Sequence, residues 1–394
     1  MGSELLHVDY GAGGVTTHLK PHALKDDLHS ETMILNMGPA HPATHGTVRI
    51  VTELSGERIM DADVEIGYLH RGFEKMCETV DYNQVMPYTD RLNYVSPIIN
   101  NVGWCLTVEK LLQIEVPKRA QYIRVLLDEM QRLSSHVLWL ATAALDLGAI
   151  TPFFYTFRER EVILDLFEEY CGARLTLNCM RIGGLPVDLT PGWLEKVRAF
   201  VEPFDRCVDE YEDLLTENRI WKLRTVGIGV LDEKRCIEWG VTGPVLRAAG
   251  KAWDVRRALP YEVYPELEFD IPVGKNADTY DRYLVRVAEL RQSRRIVLQC
   301  LDWLEKNPGT EIRGKVPRVI KPPAGEAYAS IEAPKGELGF HLVSNGGNKP
   351  YRLHVRPPSF INLQALPEMA QGHLVGDLVA VIGTIDIVLG EVDR

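Results

Sequence analysis

Apolar residues recur at intervals of three and four most clearly along one stretch: Ile123, Leu126, Leu127, Met130, Leu133, Val137, Leu140, Ala141 and Ala144. That is the spacing of one helix face. It predicts a helix from about 118 to 148, roughly 45 Å long at 1.5 Å per residue, which is long enough to be the spine of a bundle. Arg124, Asp128, Glu129 and Arg132 fill its other face. Trp104, Val108, Leu111 and Leu112 fit a preceding helix that stops before Pro117. Further helices are predicted at about 157–171, ended by Gly172, at 191–216 behind Pro191, and at 277–306. Strand-like alternation of Val48, Ile50, Thr52 and Leu54, then Ile59, Val64 and Ile66 around Ser55-Gly56, predicts two paired strands. Residues 222–274 read as irregular or short extended pieces with many turns. After about 310 the chain reads as extended, with Glu337–Val343 and Tyr351–Val355 paired as a hairpin and loops at Pro322-Pro323, Gly346-Gly347 and Pro357-Pro358. The resulting plan is an N-terminal arm (1–30), a small α/β region (31–100), a helical bundle (101–310) and a C-terminal β and loop region (311–394).

The chain has 394 residues, 45% of them hydrophobic, and a formal net charge of −11. This composition is globular, and the length exceeds what one core usually needs. The acidic balance, with no long Lys/Arg run, argues against a nucleic-acid partner. No run of about twenty apolar residues spans a membrane, since Val137–Ile150 is too short and bracketed by Arg132 and Asp146. The start Met1, Gly2, Ser3, Glu4 has neither a secretory nor an Arg-rich transit pattern. Seven scattered cysteines (Cys77, Cys105, Cys171, Cys179, Cys207, Cys236 and Cys300) without a C-x-x-C pair are expected to be buried free thiols in a reducing compartment.

Three places carry candidate chemistry. Gly38-Pro39-Ala40-His41-Pro42-Ala43-Thr44-His45-Gly46 holds two histidines four apart, but Pro42 and Gly46 oppose a helix, so a tight loop entering a strand is expected. By themselves these are turn histidines. Asp90-Arg91-Leu92-Asn93-Tyr94 precedes the first bundle helix and by itself reads as a helix start with an Arg–carboxylate pair and a buried tyrosine. Asp146 ends the long helix among Leu and Ala, at the unfavourable end of the dipole, so it needs a compensating partner, an Arg or a His. Gly336-Glu337-Leu338-Gly339 and Ser344–Asn348 lack the setting of a dinucleotide site and are assigned to tight turns. Arg291, Arg294 and Arg295 form a solvated or interface face of one helix.

With these residues in view, the chain resembles the D subunit of respiratory complex I, NADH–quinone oxidoreductase, a family related to the large subunits of nickel–iron hydrogenases. The strings that carry the resemblance are NMGPAHPATHGTVR (36–49), IGYLHRGFEK (66–75), PYTDRLNYVS (87–96), LDLGAITPFFYTFRERE (145–161), TGPVLRAAG (242–250), PKGELGFHLVSNGG (334–347), RPPSFINL (356–363) and the terminal VDR. They reach from about residue 30 to the end. The resemblance implies an α+β, hydrogenase-large-subunit-like fold with a central long-helix bundle and small N- and C-terminal β regions. It implies that His45 and Tyr94 hydrogen-bond the two carbonyls of a quinone, that Asp146 pairs with His45, and that Arg71 and Arg91 lie near the terminal iron–sulfur cluster of a neighbouring subunit. No cofactor or metal of this chain's own is implied: FMN and the iron–sulfur clusters sit in partner subunits, and quinone is the substrate. The implied partners are the other complex I subunits: the B subunit, which carries the terminal iron–sulfur cluster, the C and I subunits, and the membrane-embedded H subunit, all meeting at the cytoplasmic face of a bacterial inner membrane.

The residue types suit that chemistry. Quinone reduction takes two electrons and two protons, and a phenol with pKa about 10 and an imidazole near 6.5 both donate at neutral pH. Hydrogenase large subunits hold their metals with R-x-C-G-x-C and D-P-C-x-x-C. Here Arg91–Ser96 and Asp386–Leu389 stand in those places without a cysteine, and Ile387 replaces the proline, so a nickel–iron centre has no thiolate ligands. The alternatives are a non-catalytic scaffold of a membrane redox complex and a family variant fed by ferredoxin or another donor in place of NADH.

Overall fold

The computed structural model describes residues 32–309 and 311–394; the N-terminal arm expected at 1–30 lies outside them. β1 (Thr32–Met37), β2 (Arg49–Ser55) and β3 (Arg58–Glu65) form an antiparallel sheet in that order. The β2–β3 hairpin turns at Gly56, whose φ of 62° suits a residue without a side chain. β1 was not foreseen from the sequence, since most of it is exposed and it lacks a clean alternation.

The bundle consists of α1 (Pro97–Leu112), α2 (Lys118–Asp146), α3 (Ile150–Cys171), α4 (Trp193–Val201), α5 (Phe204–Leu215) and α6 (Thr279–Lys306). The predicted single helix over 191–216 is two helices, because Pro203 cannot donate to the turn before it. α3 begins at Ile150, earlier than the predicted 157, and Gly172 ends it in the left-handed conformation as expected. α2 matches its prediction in extent and packs against α1, α3 and α6. Its charged face differs from a solvated one: Arg124, Asp128, Glu129, Arg132 and His136 are all buried.

Partners from distant elements make that burial tolerable. Arg124 binds Glu109 and Glu262, both at 2.7 Å. Glu129 binds Arg132 at 3.2 Å and Arg256 at 2.9 Å. His136 meets Glu289 at 2.8 Å, Glu289 binds Arg247 at 2.8 Å, and Arg247 binds Glu332 at 2.7 Å. Each ion would cost several kcal/mol to desolvate alone, on the order of the whole stability of a domain when summed. Among the described residues Asp128 has no such partner, and burial drives its carboxyl far up, toward the neutral acid.

Between α5 and α6 the chain forms short helices at Arg219–Thr225, Glu233–Trp239, Pro244–Ala248 and Val255–Ala258, where short extended pieces were predicted. β4 (Gly325–Ala333), β5 (Gly336–Ser344) and β6 (Arg352–Arg356) form a second antiparallel sheet. The β5–β6 hairpin is the predicted one, but Gly336–Gly339 lies in β5 and is not a turn. The C-terminal region also departs from the sheet-and-loop prediction. It closes with helices Pro358–Leu363 and Leu366–Ala370, then α7 (Val375–Ile385) and α8 (Leu389–Asp393). These helices pack under the N-terminal sheet: Met37, Val48, Ile50 and Ile59 share a core with Leu366, Val381, Ile385 and Leu389. A larger core fills the space among α1–α6 and the second sheet.

Candidate functional site

The histidine loop is a short 3-10 turn, Pro42–Thr44, wedged between β1 and β2. Thr44 is buried and its hydroxyl donates within the turn, to the carbonyl of His41 or of Gly46, each 2.7 Å away. His41 caps the turn: its Nδ1 accepts from the Ala43 backbone N–H at 3.2 Å, and the residue is exposed. His45 follows in the left-handed region, φ 54°, which turns its ring inward. There its Nε2 meets Oδ2 of Asp146 in a short contact that joins residues 101 apart in sequence. Both side chains are 16% exposed. The partner that the end of α2 requires is therefore a histidine. The two histidines of the loop separate cleanly, with His41 in the turn and His45 in the pair.

α7 backs the pair. Trp139 of α2 donates its indole N–H to the Gly383 carbonyl at 2.7 Å, and Gly383 lies close to both partners: a methyl on it would sit 3.7 Å from Asp146 Oδ2 and 3.9 Å from His45 Cε1. Gly46 lies so close to α8 that a methyl there would meet Leu389 Cδ1 at 2.7 Å.

α8 reaches the tyrosine from the other side. A methyl on Gly390 would sit 3.2 Å from Tyr94 Cδ1 and 2.5 Å from the Leu92 carbonyl oxygen. The 90–96 segment is a turn rather than a helix start; α1 begins at Pro97. Asp90 does not pair with Arg91. Its buried carboxylate accepts from Asn101 Nδ2 at 2.7 Å and from the Asn178 N–H at 3.4 Å, and burial pushes it up to about 6. Tyr94 is half-buried, and among the described residues nothing hydrogen-bonds its hydroxyl. Burial raises its phenol above the usual value, with Arg71 opposing and Glu391 adding to the rise.

Arg71 and Arg91 are exposed and adjacent. Arg71 Nη2 donates to the Arg91 carbonyl at 2.8 Å and to the Gly390 carbonyl at 3.1 Å, while Arg91 Nη1 donates to the Pro87 carbonyl at 2.6 Å. The Arg71 loop is held by the chain's last residues: Asp393 accepts from Gly67 N–H at 2.9 Å and Leu69 N–H at 2.6 Å. Arg291, Arg294 and Arg295 lie elsewhere, paired with Asp205, Asp209, Glu212, Glu268 and Asp270.

Residues singled out by neither periodicity nor charge complete the site. Asn93 donates to Glu391 at 3.3 Å, and Glu391 also accepts from the Ser359 N–H at 3.1 Å and from the Ser359 hydroxyl. Lys335, buried, binds Asp386 at 3.1 Å and Ser135 at 3.1 Å. The signal for the first group was present in the hydrogenase motifs, whose cysteine positions fall on Asn93, Ser96, Val388 and Glu391. The fold brings those positions together, and they hold an amide, a hydroxyl, an alkyl group and a carboxyl, which do not fit a thiolate-held metal centre. Among the described residues, no group of three or more His, Cys, Asp or Glu is placed to hold a metal ion.

The arrangement is an α+β one, a long-helix bundle with two small antiparallel sheets, whose C-terminal helices seat the His45 and Tyr94 loops. The family model for "Respiratory-chain NADH dehydrogenase, 49 Kd subunit" matches residues 146–394. The second of the NADH-quinone oxidoreductase D subunits of Solibacter usitatus is 56% identical over 367 residues, covering 93% of this chain and 98% of the relative. The corresponding D subunit of Geotalea uraniireducens is 49% identical over 390 residues, covering 93% and 99%. The chain belongs to this family, the D subunits of NADH-quinone oxidoreductase, which are the 49 kDa subunits of complex I, and so it is part of an enzyme complex whose other subunits are its partners. Among the described residues, no helix is long and apolar enough to cross a membrane.

Proposed function

We propose that this chain binds the quinone headgroup and supplies both protons for its reduction, His45 to one carbonyl oxygen and Tyr94 to the other. The observation that carries the reading is the seating of both loops on one C-terminal segment: the His45–Asp146 pair lies against Gly383, and Tyr94 lies against Gly390. Among the described residues nothing hydrogen-bonds the Tyr94 hydroxyl, which leaves it available to donate. The electrons originate at NADH and pass through FMN and iron–sulfur clusters in partner subunits, ending on the terminal cluster of the B subunit; Arg71 and Arg91 face that neighbour. The C and I subunits and the membrane-embedded H subunit complete the surroundings, at the cytoplasmic face of a bacterial membrane.

As electrons reach the quinone, its oxygens become basic, and donors already aimed at them lower the barrier without reorganisation. Asp146 fixes the orientation of the imidazole ring through their contact. Once His45 gives up its proton, the Asp146 carboxylate is left less compensated, and that change of charge is what a membrane partner senses. A complex carrying Asp146→Asn that still reduces quinone and pumps protons like the parent would remove this coupling step.

The two histidines provide the test. In the assembled complex, His45→Ala is expected to lower quinone reduction by about 100-fold or more, with electron transfer from NADH to an artificial acceptor unchanged. His41→Ala, which loses only a turn contact, should leave both activities intact. Equal quinone reduction in the two variants would replace this reading with that of a scaffold protein.

A further inference from the structure

Tyr94 sits in the 90–96 segment, which forms no helix or strand. No regular ladder of backbone hydrogen bonds holds it, so the place of its hydroxyl depends on what pins the turn. Side chains from two bundle helices do so. Asn100 on α1 donates its Nδ2–H to the Asn93 carbonyl at 3.0 Å. Gln131 on α2 donates its Nε2–H to the Val95 carbonyl at 2.9 Å. The Asn93 carbonyl belongs to the same planar peptide unit as the Tyr94 nitrogen. The two amides therefore grip the chain just before and just after Tyr94.

Both amide side chains are buried, and their orientation follows from the acceptor, because only the N–H side of an amide can face a carbonyl. Their oxygens, Asn100 Oδ1 and Gln131 Oε1, are buried without a protein partner among the described residues. The Asn93 carbonyl already accepts from the Ser96 N–H at 3.0 Å, so Asn100 adds a second donor to a satisfied oxygen and leaves its own unpaired. Gln131 pairs the Val95 carbonyl and leaves its own oxygen unpaired in exchange. By the count of paired groups, neither amide improves on an apolar side chain of the same size. What each adds is direction, since a hydrogen bond fixes an angle and apolar packing does not.

The rest of the turn is confined as well. Asn101 Nδ2 binds Thr89 Oγ1 at 2.8 Å and Asp90 Oδ1 at 2.7 Å, which anchors the start of the segment. Gly390 closes on the Leu92 carbonyl and on the Tyr94 ring. The amides of Asn100 and Gln131 are the contacts that hold the peptide units flanking Tyr94.

We propose that Asn100 and Gln131 are positioning residues for quinone reduction, which hold the backbone on either side of Tyr94 and so set where its hydroxyl points. This rests on the reading of Tyr94 as a proton donor. Neither amide touches the quinone. Each acts through the tyrosine, and the effect of removing it vanishes when the hydroxyl is already gone.

The experiment is a double-mutant cycle on NADH-driven quinone reduction by the assembled complex. Gln131→Met keeps the side chain's volume and removes its amide. It is expected to lower kcat about 10-fold with a smaller change in KM, because a misplaced donor fails mainly in the transition state. Asn100→Leu should act in the same way from the other helix. In a Tyr94→Phe background, where there is no hydroxyl to place, either substitution should lower the rate by less than about twofold further. Gln121→Met is the control: Gln121, at the other end of α2, also donates to a carbonyl, that of Val116 at 2.9 Å, and its loss should leave kcat at the parent value. Parent-like kcat in both Gln131→Met and Asn100→Leu overturns the proposal. Losses that multiply in full with that of Tyr94→Phe overturn it too, because the amides would then act independently of the hydroxyl. The two positions lie on different helices, so a variant that fails to assemble leaves the other to decide. A Tyr94→Phe complex as active as the parent removes the donor reading and this inference with it, and that result is read in a different variant from a failure of the amides alone.

Discussion

Replacing Tyr94 by phenylalanine removes one oxygen and little else. The ring keeps its contact with Gly390, and the hydroxyl has no hydrogen bond to lose among the described residues. The variant is therefore expected to fold with stability within about 0.5 kcal/mol of the parent. Its effect on quinone reduction should be much larger. A preorganised donor aimed at developing negative charge in a shielded site contributes about 2.7–4 kcal/mol. Tyr94 is only half-buried, so a discounted 2–3 kcal/mol, roughly a 30- to 150-fold fall in rate, is the expectation. The assay is NADH-driven quinone reduction by the purified complex, run beside reduction of an artificial acceptor that draws electrons upstream of the quinone. A selective fall in the first supports the donor role. Unchanged quinone reduction in a stably assembled complex refutes it, because no loss of structure is available to explain the result.

Three further outcomes follow from the same geometry. Gly390→Ala places a methyl 2.5 Å from the Leu92 carbonyl oxygen and 2.9 Å from that of Arg91, so overpacking of about 1–3 kcal/mol should displace the Tyr94 turn; quinone reduction should fall while acceptor reduction persists, and full retention of both would show that the turn yields. Arg124→Met leaves Glu109 and Glu262 buried without their cation and is expected to cost about 3–5 kcal/mol, read as a lowered Tm and poor assembly; a parent-like Tm would contradict the ionic account of the bundle. Burial raises the Asp90 carboxyl from an unfolded value near 3.9 to about 6. Its contribution to stability is full below about pH 4 and is lost as pH rises through about 6, a change on the order of 3 kcal/mol. Asp90→Asn should therefore gain stability relative to the parent between pH 4 and 7 by thermal unfolding, and the opposite trend would reject the assignment.

The sequence alone determined the elements whose pattern is local. α2 was legible because its apolar face repeats for eight turns, the end of α3 because Gly172 is suited to the left-handed cap, and the β2–β3 and β5–β6 hairpins because their alternation is bounded by turn residues. The requirement for a partner at Asp146 was legible too, since a carboxylate at an apolar helix end is costly wherever the helix is placed. Other features were not local. α7 is apolar along most of its length because it is covered on most sides, and a short apolar run reads alike as a buried helix or a buried strand. The charges of α2 read alike whether solvated or buried, because their partners Glu109, Glu262, Arg256 and Glu289 lie on other elements. The identity of Asp146's partner, the separation of His45 from His41 and the seating of Tyr94 against Gly390 were decided only by tertiary structure. Each depends on which distant segments pack together, and that is set by the burial of the whole chain rather than by the residues on either side.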